Sequence, residues 1–404
     1  MMNMPATDLS YQMIQPSPFR KEFSLQSGLV YLNHAGVAPI SRRGVRAMCA
    51  VAEHLCQLGG SRYAELNAAY ESVRERCARL IQCQAREVAF IPNTSMGISF
   101  AAMGIDWQPG DEIVTTDQEF PANLVVWLDV ASRFKLKLHR PPSENNGAVS
   151  VEHLLERVTP RTRVVAVSSV QFSSGAVVDL HRLGAHLANT DTLLLVDGIQ
   201  SLGILPMDVQ AMGIDILAAD GHKWLLSPEG CGLFYLSEKA MAQVHPRVLG
   251  WHSLANAGQY DQVVNLTLRP GAKRFEAGSP NLLGVAALGA GIDLLLEASI
   301  DQVQTRVKDL VAALAQGVVQ RGALLHTPLA KDGRPGAGIV VFSFPHLLTQ
   351  PLHQALLQAG IEQAHRGGGI RFSPHFYQDQ TDVNRALETL DLLLEPGHLK
   401  IPMR

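Results

Sequence analysis

The stretch LLLVDGIQSLGILPMDVQAMGIDILAADGHKWLLSPEGCGLFYL, residues 193–236, decides the fold of this chain. It holds three short runs of mostly apolar residues, LLLVD at 193–197, IDILAAD at 214–220 and GLFYL at 232–236. Runs that are apolar at nearly every position are typical of strands in a parallel sheet, because helices cover both faces of such a sheet. The stretch therefore predicts the middle of a mostly parallel sheet.

The same alternation of short strands and helices extends upstream of this stretch. Alternation of this kind predicts an α/β fold with helices on both faces of the sheet. Two amphipathic helices, 41–57 and 62–82, precede it. The further predicted strands are EVAFI at 87–91, DEIVTT at 111–116, KLKLH at 135–139 and RVVAVSSV at 163–170, and the further predicted helices are 95–104, 121–133, 150–157 and 179–189.

A second, smaller domain is expected at the C-terminal end, because 404 residues are too many for one compact domain of ordinary size. From residue 283 a long helical period returns, and the turn-rich KDGRPGAG and the strand-like IVVFSF follow it. We predict an N-terminal arm over residues 1–30, a large α/β domain over 31–285 and a smaller α+β domain over 286–404.

Charge and composition limit the kinds of partner. The net charge is -3 and no long run of Lys or Arg occurs, so a nucleic-acid or membrane-surface role has no electrostatic support. The first residues lack a basic start followed by an apolar stretch, and no run of about 18 apolar residues occurs. We predict a cytoplasmic protein that acts on a small molecule.

The cysteines and histidines do not predict a metal site. The five cysteines lie at no metal-ligand spacing, and no HExxH pattern occurs among the histidines. Reduced and mostly buried thiols are expected, because free cysteine is usually buried.

Polar residues that follow the predicted strands are the candidates for chemistry, because ligands of open parallel sheets bind beyond the carboxyl ends of the strands. Asn93-Thr94-Ser95 opens a helix and could bind a phosphate or serve as an ordinary cap. Asp197 ends one strand and needs a cationic or hydrogen-bonding partner. Lys223 follows the next strand and is either a surface charge or a lysine with a lowered pKa that forms an imine.

The order of these features resembles one known family. A phosphate-binding helix start, an acid that closes one strand and a lysine after the next strand resemble the class V aminotransferase family of fold type I pyridoxal-phosphate enzymes. That family includes cysteine desulfurases, selenocysteine lyases, kynureninase and isopenicillin N epimerase. The resemblance rests on residues 193–236 and extends from YLNHAGVAP at 31–39 to GIRFSPHFYQ at 369–378.

The resemblance implies a pyridoxal 5'-phosphate cofactor and a role for each site residue. Lys223 would hold the cofactor as a Schiff base and later move the α-proton, and Asp197 would keep the pyridine ring protonated. Arg371 would bind the substrate carboxylate, with a surface or interface salt bridge as the alternative. Further cofactor contacts are implied for Gln200 at the phenolic oxygen, for Thr94, Ser95 and His222 at the phosphate, and for Ser279 at the phosphate of the neighbouring subunit in a homodimer.

Several positions depart from the cysteine desulfurases. The loop before Arg371 contains no cysteine that could attack sulfur. Phe120 stands where those enzymes stack a histidine on the cofactor, so it can stack but cannot exchange a proton. Phe172 replaces an asparagine. Asp220 replaces a serine near the phosphate, and we expect its carboxylate to point away or to bond backbone N–H groups.

These features predict an enzyme that acts at the α- and β-carbons of a small L-amino acid. A desulfurase-like C–S lyase that works by β-elimination is the leading hypothesis, and a class V aminotransferase is the alternative. An epimerase and a non-catalytic regulator with this fold are minor alternatives. By analogy with the family, His34 is predicted to line the substrate pocket, with packing as the alternative.

Overall fold

The computed structural model describes residues 14–259, 261 and 265–395. Residues 1–13 of the predicted N-terminal arm and residues 396–404 of the predicted C-terminal domain lie outside the described residues. The described strands are β1 Val30–Tyr31, β2 Val88–Ile91, β3 Glu112–Thr115, β4 Lys137–His139, β5 Thr162–Ser168, β6 Leu193–Asp197, β7 Ile216–Asp220, β8 Gly232–Leu236, β9 Leu324–Leu325, β10 Val340–Ser343, β11 Ile361–Glu362, β12 Ala364–Arg366 and β13 Gly369–Phe372.

The described helices follow the predicted amphipathic segments closely. Each predicted helix of the large sheet region has a counterpart whose ends differ by a few residues. The helices are α1 Arg42–Leu58, α2 Tyr63–Ile81, α3 Thr94–Gly104, α4 Val125–Phe134, α5 Val151–Leu155, α6 Leu180–Leu187, α7 Glu238–Gln243, α8 Leu282–Ala298, α9 Ile300–Gln320, α10 Thr349–Gln358 and α11 Gln380–Leu394.

The seven strands predicted for the α/β domain join one sheet in the order β2-β8-β7-β6-β5-β3-β4. Strand β8 runs antiparallel to both of its neighbours, and the other neighbouring pairs are parallel. This order confirms the predicted α/β fold with a mostly parallel central sheet.

Helices cover this sheet on both faces, as the continuous apolar runs predict. Along β6, Leu194 and Val196 belong to one buried cluster, and Leu193 and Leu195 belong to the cluster on the other face. A central strand of this kind has no solvent-facing side. Polar side chains can therefore reach a ligand only where the strands end.

A second sheet lies in the C-terminal part of the chain. Strands β12, β13, β10 and β9 form it in that order, and all its neighbouring pairs are antiparallel. Strand β1 pairs in parallel with β11, so the N-terminal segment is held against the C-terminal part. The predicted boundary near residue 285 falls within α8 and stays a prediction.

No single helix in the described part of the chain is long and apolar enough to cross a bilayer. Only α8 and α9 taken together reach that length and apolarity, and their axes are bent by 84° at the break between them.

We expect Gly203→Ala to lower the free energy of unfolding by about 1–3 kcal/mol. Gly203 has φ +108°, and a Cβ atom there would lie 2.3 Å from the carbonyl oxygen of Trp224, next to Lys223. Urea denaturation measures the change. Gly60→Ala is the matched control, because nothing lies within 4 Å of a Cβ at Gly60. Equal stability of the two variants would contradict the close packing at Gly203.

Candidate active site

Asp197 ends β6 and carries a buried carboxylate with one unused oxygen. Its Oδ1 accepts a hydrogen bond of 3.0 Å from the backbone N–H of Ile199, whereas Oδ2 has no partner in the described part of the chain. Burial raises the pKa of Asp197 to about 7, and the charge of Glu119 adds to this rise while the charge of Lys223 opposes it. A buried oxygen without a donor fits a protonated ring nitrogen that the chain itself does not supply.

Lys223 lies just beyond β7 and is 9% exposed. Burial lowers the pKa of its amine to about 8, and the nearby charge of Asp197 opposes this shift. Among the described residues, no acid lies within ion-pair distance of Nζ. An amine with such a pKa is partly neutral near pH 8 and can act as a nucleophile or a base.

Gln200 follows Asp197 by three residues and is buried, and its amide bonds two other segments of the chain. Its Oε1 accepts a hydrogen bond of 3.0 Å from the indole nitrogen of Trp224. Its Nε2 donates to the carbonyl oxygen of Ala35 at 3.1 Å. The amide nitrogen carries two hydrogens, so one N–H remains for a ligand.

The first turn of α3 lies beside the end of β7. Asn93 caps the helix by accepting a hydrogen bond of 2.9 Å from the backbone N–H of Met96. The Thr94 Oγ1 accepts from the backbone N–H of Asp220 at 2.9 Å, and its own hydrogen stays available as a donor. Ser95 is exposed at the helix start. These donors and the helix N-terminus suit an anion such as a phosphate.

Asp220 bonds a backbone N–H group, as the sequence analysis predicts. Its Oδ1 accepts from the N–H of Gly221 at 2.7 Å. Its Oδ2 lies 2.9 Å from Nδ1 of His222, although the two groups lack hydrogen-bond geometry. His222 is held beside Asp220 and keeps part of its ring exposed.

Arg371 on β13 is a buried guanidinium without an acid partner in the described part of the chain. Its Nη1 donates to the carbonyl oxygen of Phe172 at 2.9 Å, its Nη2 donates to Oδ1 of Asn33 at 3.4 Å, and its Nε has no partner. Burial, together with a smaller effect of the nearby charge of Arg366, lowers the pKa of Arg371 to about 10. A buried cation of this kind fits the carboxylate of a substrate.

Phe120 and Phe172 form an apolar corner beside the lysine. Their rings are nearly perpendicular, at 79°, with centroids 5.0 Å apart. The Lys223 Nζ lies 5.7 Å from the centroid of the Phe120 ring. Neither ring can accept or donate a proton, so acid–base chemistry at this position depends on Lys223.

Glu119 is a buried acid of the site that was not predicted from the sequence. It is buried, and its carboxylate accepts hydrogen bonds from the backbone N–H of Ser168, from Asn123 and from Gln171, at 2.9 to 3.1 Å. This network holds the residue next to Phe120 against the end of β5. An acid directly before the predicted ring-contact position is the signal that could have identified it.

The structure does not support His34 as a substrate contact. His34 is fully buried, its Nδ1 pairs with the carbonyl oxygen of Ser373 at 2.9 Å, and its Nε2 pairs with the Tyr377 hydroxyl at 2.8 Å. No ring nitrogen is left for a substrate. His34 instead joins the N-terminal segment to the segment after β13.

The segment before Arg371 is a tight hairpin rather than a loop. Strands β12 and β13 are joined by Gly367 and Gly368, whose φ angles are +58° and +77°. Two successive positive φ angles are typical of a two-residue hairpin turn. A Cβ at Gly367 would lie 1.9 Å from the carbonyl oxygen of Ser173, so the turn packs directly on the chain beside Phe172.

The cysteines are all free, and the prediction that most are buried is wrong. Only Cys77 and Cys231 are buried, whereas Cys49 and Cys56 are exposed. The exposed pair lies on the outer face of α1, because their spacing of seven residues brings both to one side of the helix. Burial raises the pKa of the Cys231 thiol well above its usual value, so Cys231 is a poor nucleophile.

Ser279 lies near the start of α3, on the loop that follows Glu276. It is exposed and, with Met96 and Glu276, lines a cavity of about 300 Å³ that does not include Lys223. Glu276 anchors the loop, because Arg74 donates to its Oε1 at 2.6 Å and to its Oε2 at 3.1 Å.

Comparison with known proteins places this site in context. A model of the class V aminotransferase family matches residues 30–385. The chain is 27% identical over 341 residues to a protein named probable cysteine desulfurase from Pyrococcus abyssi, with 81% of this chain and 83% of that protein covered. It is 28% identical over 404 residues to the cysteine desulfurase CsdA of Escherichia coli, with coverage of 94% and 98%.

Solved structures share the fold. The chain superposes on the crystal structure of Escherichia coli CsdA with a TM-score of 0.83 at 25% identity, covering 95% of this chain and 99% of that one. It superposes on a complex of the cystine C–S lyase C-DES with its product cysteine persulfide with a TM-score of 0.82 at 24% identity, covering 90% and 97%.

We expect the Lys223 amine of the cofactor-free protein to titrate near pH 8 rather than near its ordinary value of 10.5, because burial disfavours the charged form. Acetic anhydride labelling at a series of pH values, read by peptide mass spectrometry, gives the midpoint. Asp197→Asn removes a charge that stabilises the ammonium, so it is expected to lower the midpoint further. A wild-type midpoint near 10.5 would contradict the buried position of the amine.

Proposed function

Because this chain belongs to the class V aminotransferase family, whose members depend on pyridoxal phosphate, we propose that it cleaves a C–S bond of a small L-amino acid by β-elimination. In this proposal sulfur leaves directly and is not passed to a cysteine of the protein. The observation that carries the proposal is the tight hairpin before Arg371, which leaves no thiol where the desulfurases need one.

The described residues fit the cofactor. The unused Oδ2 of Asp197 suits the ring nitrogen, the amine of Lys223 suits a covalent link, and the start of α3 suits the phosphate. When bound, pyridoxal phosphate delocalises the electron pair that proton loss leaves on the α-carbon. The ionised carboxylate of Asp197 would stabilise positive charge on the ring nitrogen.

The substrate would be bound and deprotonated by residues of this chain. We propose that the Arg371 guanidinium binds the substrate carboxylate with the N–H groups that Phe172 and Asn33 leave free. The Lys223 amine, whose pKa is lowered to about 8, would take the α-proton. Phe120 and Phe172 would form an apolar side of the site and take no part in proton transfer.

The absence of a thiol acceptor decides between two products. Release of alanine from cysteine requires that sulfur be transferred to a nucleophile, which in the desulfurases is the loop thiolate. Direct β-elimination needs no acceptor: L-cysteine with water gives pyruvate, ammonia and sulfide, and L-cystine with water gives pyruvate, ammonia and cysteine persulfide. We therefore propose pyruvate as the carbon product.

Transamination is the alternative for the same cofactor and carboxylate site. It would leave the cofactor in its amine form until a keto acid arrived. The nearly perpendicular phenyl rings give no acid on the Phe120 side, and this disfavours epimerisation, which needs an acid on the opposite side from Lys223.

We also propose a homodimer in which Ser279 reaches the cofactor phosphate of the partner subunit. Its exposure in its own chain supports this arrangement. The cytoplasmic location inferred from the sequence stays a prediction.

We expect L-cystine or L-cysteine, supplied without a keto acid, to yield pyruvate while the visible absorption of the cofactor persists. Iodoacetamide is expected to label the exposed Cys49 and Cys56 and to leave turnover unchanged, because no thiol takes part. Lys223→Ala is the inactive control. Alanine as the main product, or activity lost in step with thiol labelling, would contradict direct elimination. Lasting loss of the visible band would indicate transamination.

We expect Arg371→Lys to raise KM by about 10- to 100-fold, with a smaller effect on kcat. Lysine keeps the charge but loses the planar fork that binds a carboxylate at two points, and such charge-assisted bonds contribute about 1.5–3 kcal/mol. Steady-state kinetics with a fixed substrate gives both constants. Arg133→Lys is the control, because Arg133 pairs with Asp129 on the exposed surface of α4. An unchanged KM would remove Arg371 from the carboxylate site.

A further inference from the structure

Trp224, the residue next to Lys223, is fully buried, and both its indole nitrogen and its backbone carbonyl oxygen are hydrogen-bonded. Its indole nitrogen donates to Oε1 of Gln200 at 3.0 Å. Its carbonyl oxygen pairs with Nε2 of His375 at 3.1 Å. The indole therefore bonds the segment after β6, and the backbone carbonyl bonds the segment after β13.

The protonation of His375 follows from its two bonds. Its Nδ1 accepts from the backbone N–H of Phe376 at 2.8 Å, so the ring hydrogen lies on Nε2, which donates to the carbonyl oxygen of Trp224. Burial lowers the pKa of His375 to about 3, so the ring is neutral. The backbone of Trp224 is thus held by a donor whose state does not change near neutral pH.

The bonds of Gln200 determine which way its amide faces. An indole N–H can only donate, so the atom opposite Trp224 must be the amide oxygen. A backbone carbonyl can only accept, so the atom opposite Ala35 must be the amide nitrogen. Both partners therefore exclude the flipped amide, which would place two donors together on one side and two acceptors together on the other.

Close packing keeps the indole ring in this position. A Cβ at Gly338 would lie 2.6 Å from Cη2 of the Trp224 ring. The ring centroid lies 5.5 Å from that of His375 and 6.1 Å from that of His34. The ring has no room to turn its N–H away from Gln200.

We propose that Trp224 is a positioning residue for the Gln200 amide. It orients the amide so that the remaining N–H of Gln200, and not its oxygen, faces the phenolic oxygen of the cofactor. Trp224 does not touch the reacting atoms and acts through Gln200. The inference concerns cofactor binding, which the family requires, and does not depend on C–S cleavage being the reaction.

The position of one N–H has a measurable consequence. A donor to the phenolic oxygen of the cofactor withdraws negative charge from that oxygen. The proton on the nitrogen that joins Lys223 to the cofactor is then less strongly attracted, so its pKa is lower than without the donor. Loss of Trp224 as a hydrogen-bond donor leaves Ala35 alone to hold the Gln200 amide, so the amide is less firmly held and this effect weakens.

Trp224→Phe keeps an aromatic ring and removes only the indole N–H and part of the ring area. We expect the pKa of the lysine–cofactor nitrogen, followed by visible absorption of the holoenzyme between pH 5 and 10, to rise, but by less than the change of about one unit expected for complete loss of one hydrogen bond. Gln200→Ala is expected to raise it by about one unit, because the contact is then lost completely. The double variant is expected to shift no further than Gln200→Ala alone, because both changes act on the same contact.

Trp107→Phe is the matched control. Trp107 is another buried tryptophan, and its indole N–H donates to the carbonyl oxygen of Ala102 at 2.7 Å, at the other end of α3 from Thr94. We expect no shift of the absorption pKa in this variant. An equal shift in Trp107→Phe, additive shifts in the double variant, or no shift in Trp224→Phe would each overturn the proposal. Failure of C–S cleavage with the shifts intact would count only against the proposed reaction.

Discussion

The rest of the site depends on one physical constraint, the burial of opposite charges at the ends of two adjacent parallel strands. Asp197 ends β6, Lys223 follows β7, and burial disfavours the charged form of each, so that the pKa of the acid rises to about 7 and that of the amine falls to about 8. Each charge stabilises the other, and neither has a complete set of partners from the chain. A ligand with a cationic ring nitrogen and a reactive carbonyl would supply the partners that both groups lack.

The substrate side of the site is built by a different part of the chain. Arg371 stands on β13 of the antiparallel sheet, yet its guanidinium bonds Phe172 from the large sheet region and Asn33 from the N-terminal segment. The pairing of β1 with β11 and the bonds of His34 to Ser373 and Tyr377 hold these segments together. The proposed carboxylate binding would therefore depend on the packing between the two sheet regions as much as on the arginine.

Two phenyl rings and a glycine turn limit the possible chemistry, because they supply neither a proton donor nor a thiol beside Lys223. Phe120 and Phe172 place no proton donor beside the lysine, and the turn at Gly367 and Gly368 leaves no loop that could bring a thiol to the site. In the proposed reaction, Lys223 is left as the group that would move the α-proton. A leaving group that departs as a thiolate or persulfide without further help suits such a site, and this is the physical link between the hairpin and β-elimination.

The sequence of residues 193–236 alone predicted β6, β7 and β8 and the positions of Asp197 and Lys223 at the ends of two of these strands. Continuous apolar runs and a polar residue at a strand end are local patterns, so they can be recognised without the tertiary structure. The helices of the large sheet region followed from their own periodicity. Tertiary structure alone decided the burial of His34, the outward face of Cys49 and Cys56, the network around Glu119 and the bond from Trp224 to Gln200. Each of these depends on which distant segment packs against the residue, and a hydrogen-bond partner far along the chain leaves no periodic signal in the sequence.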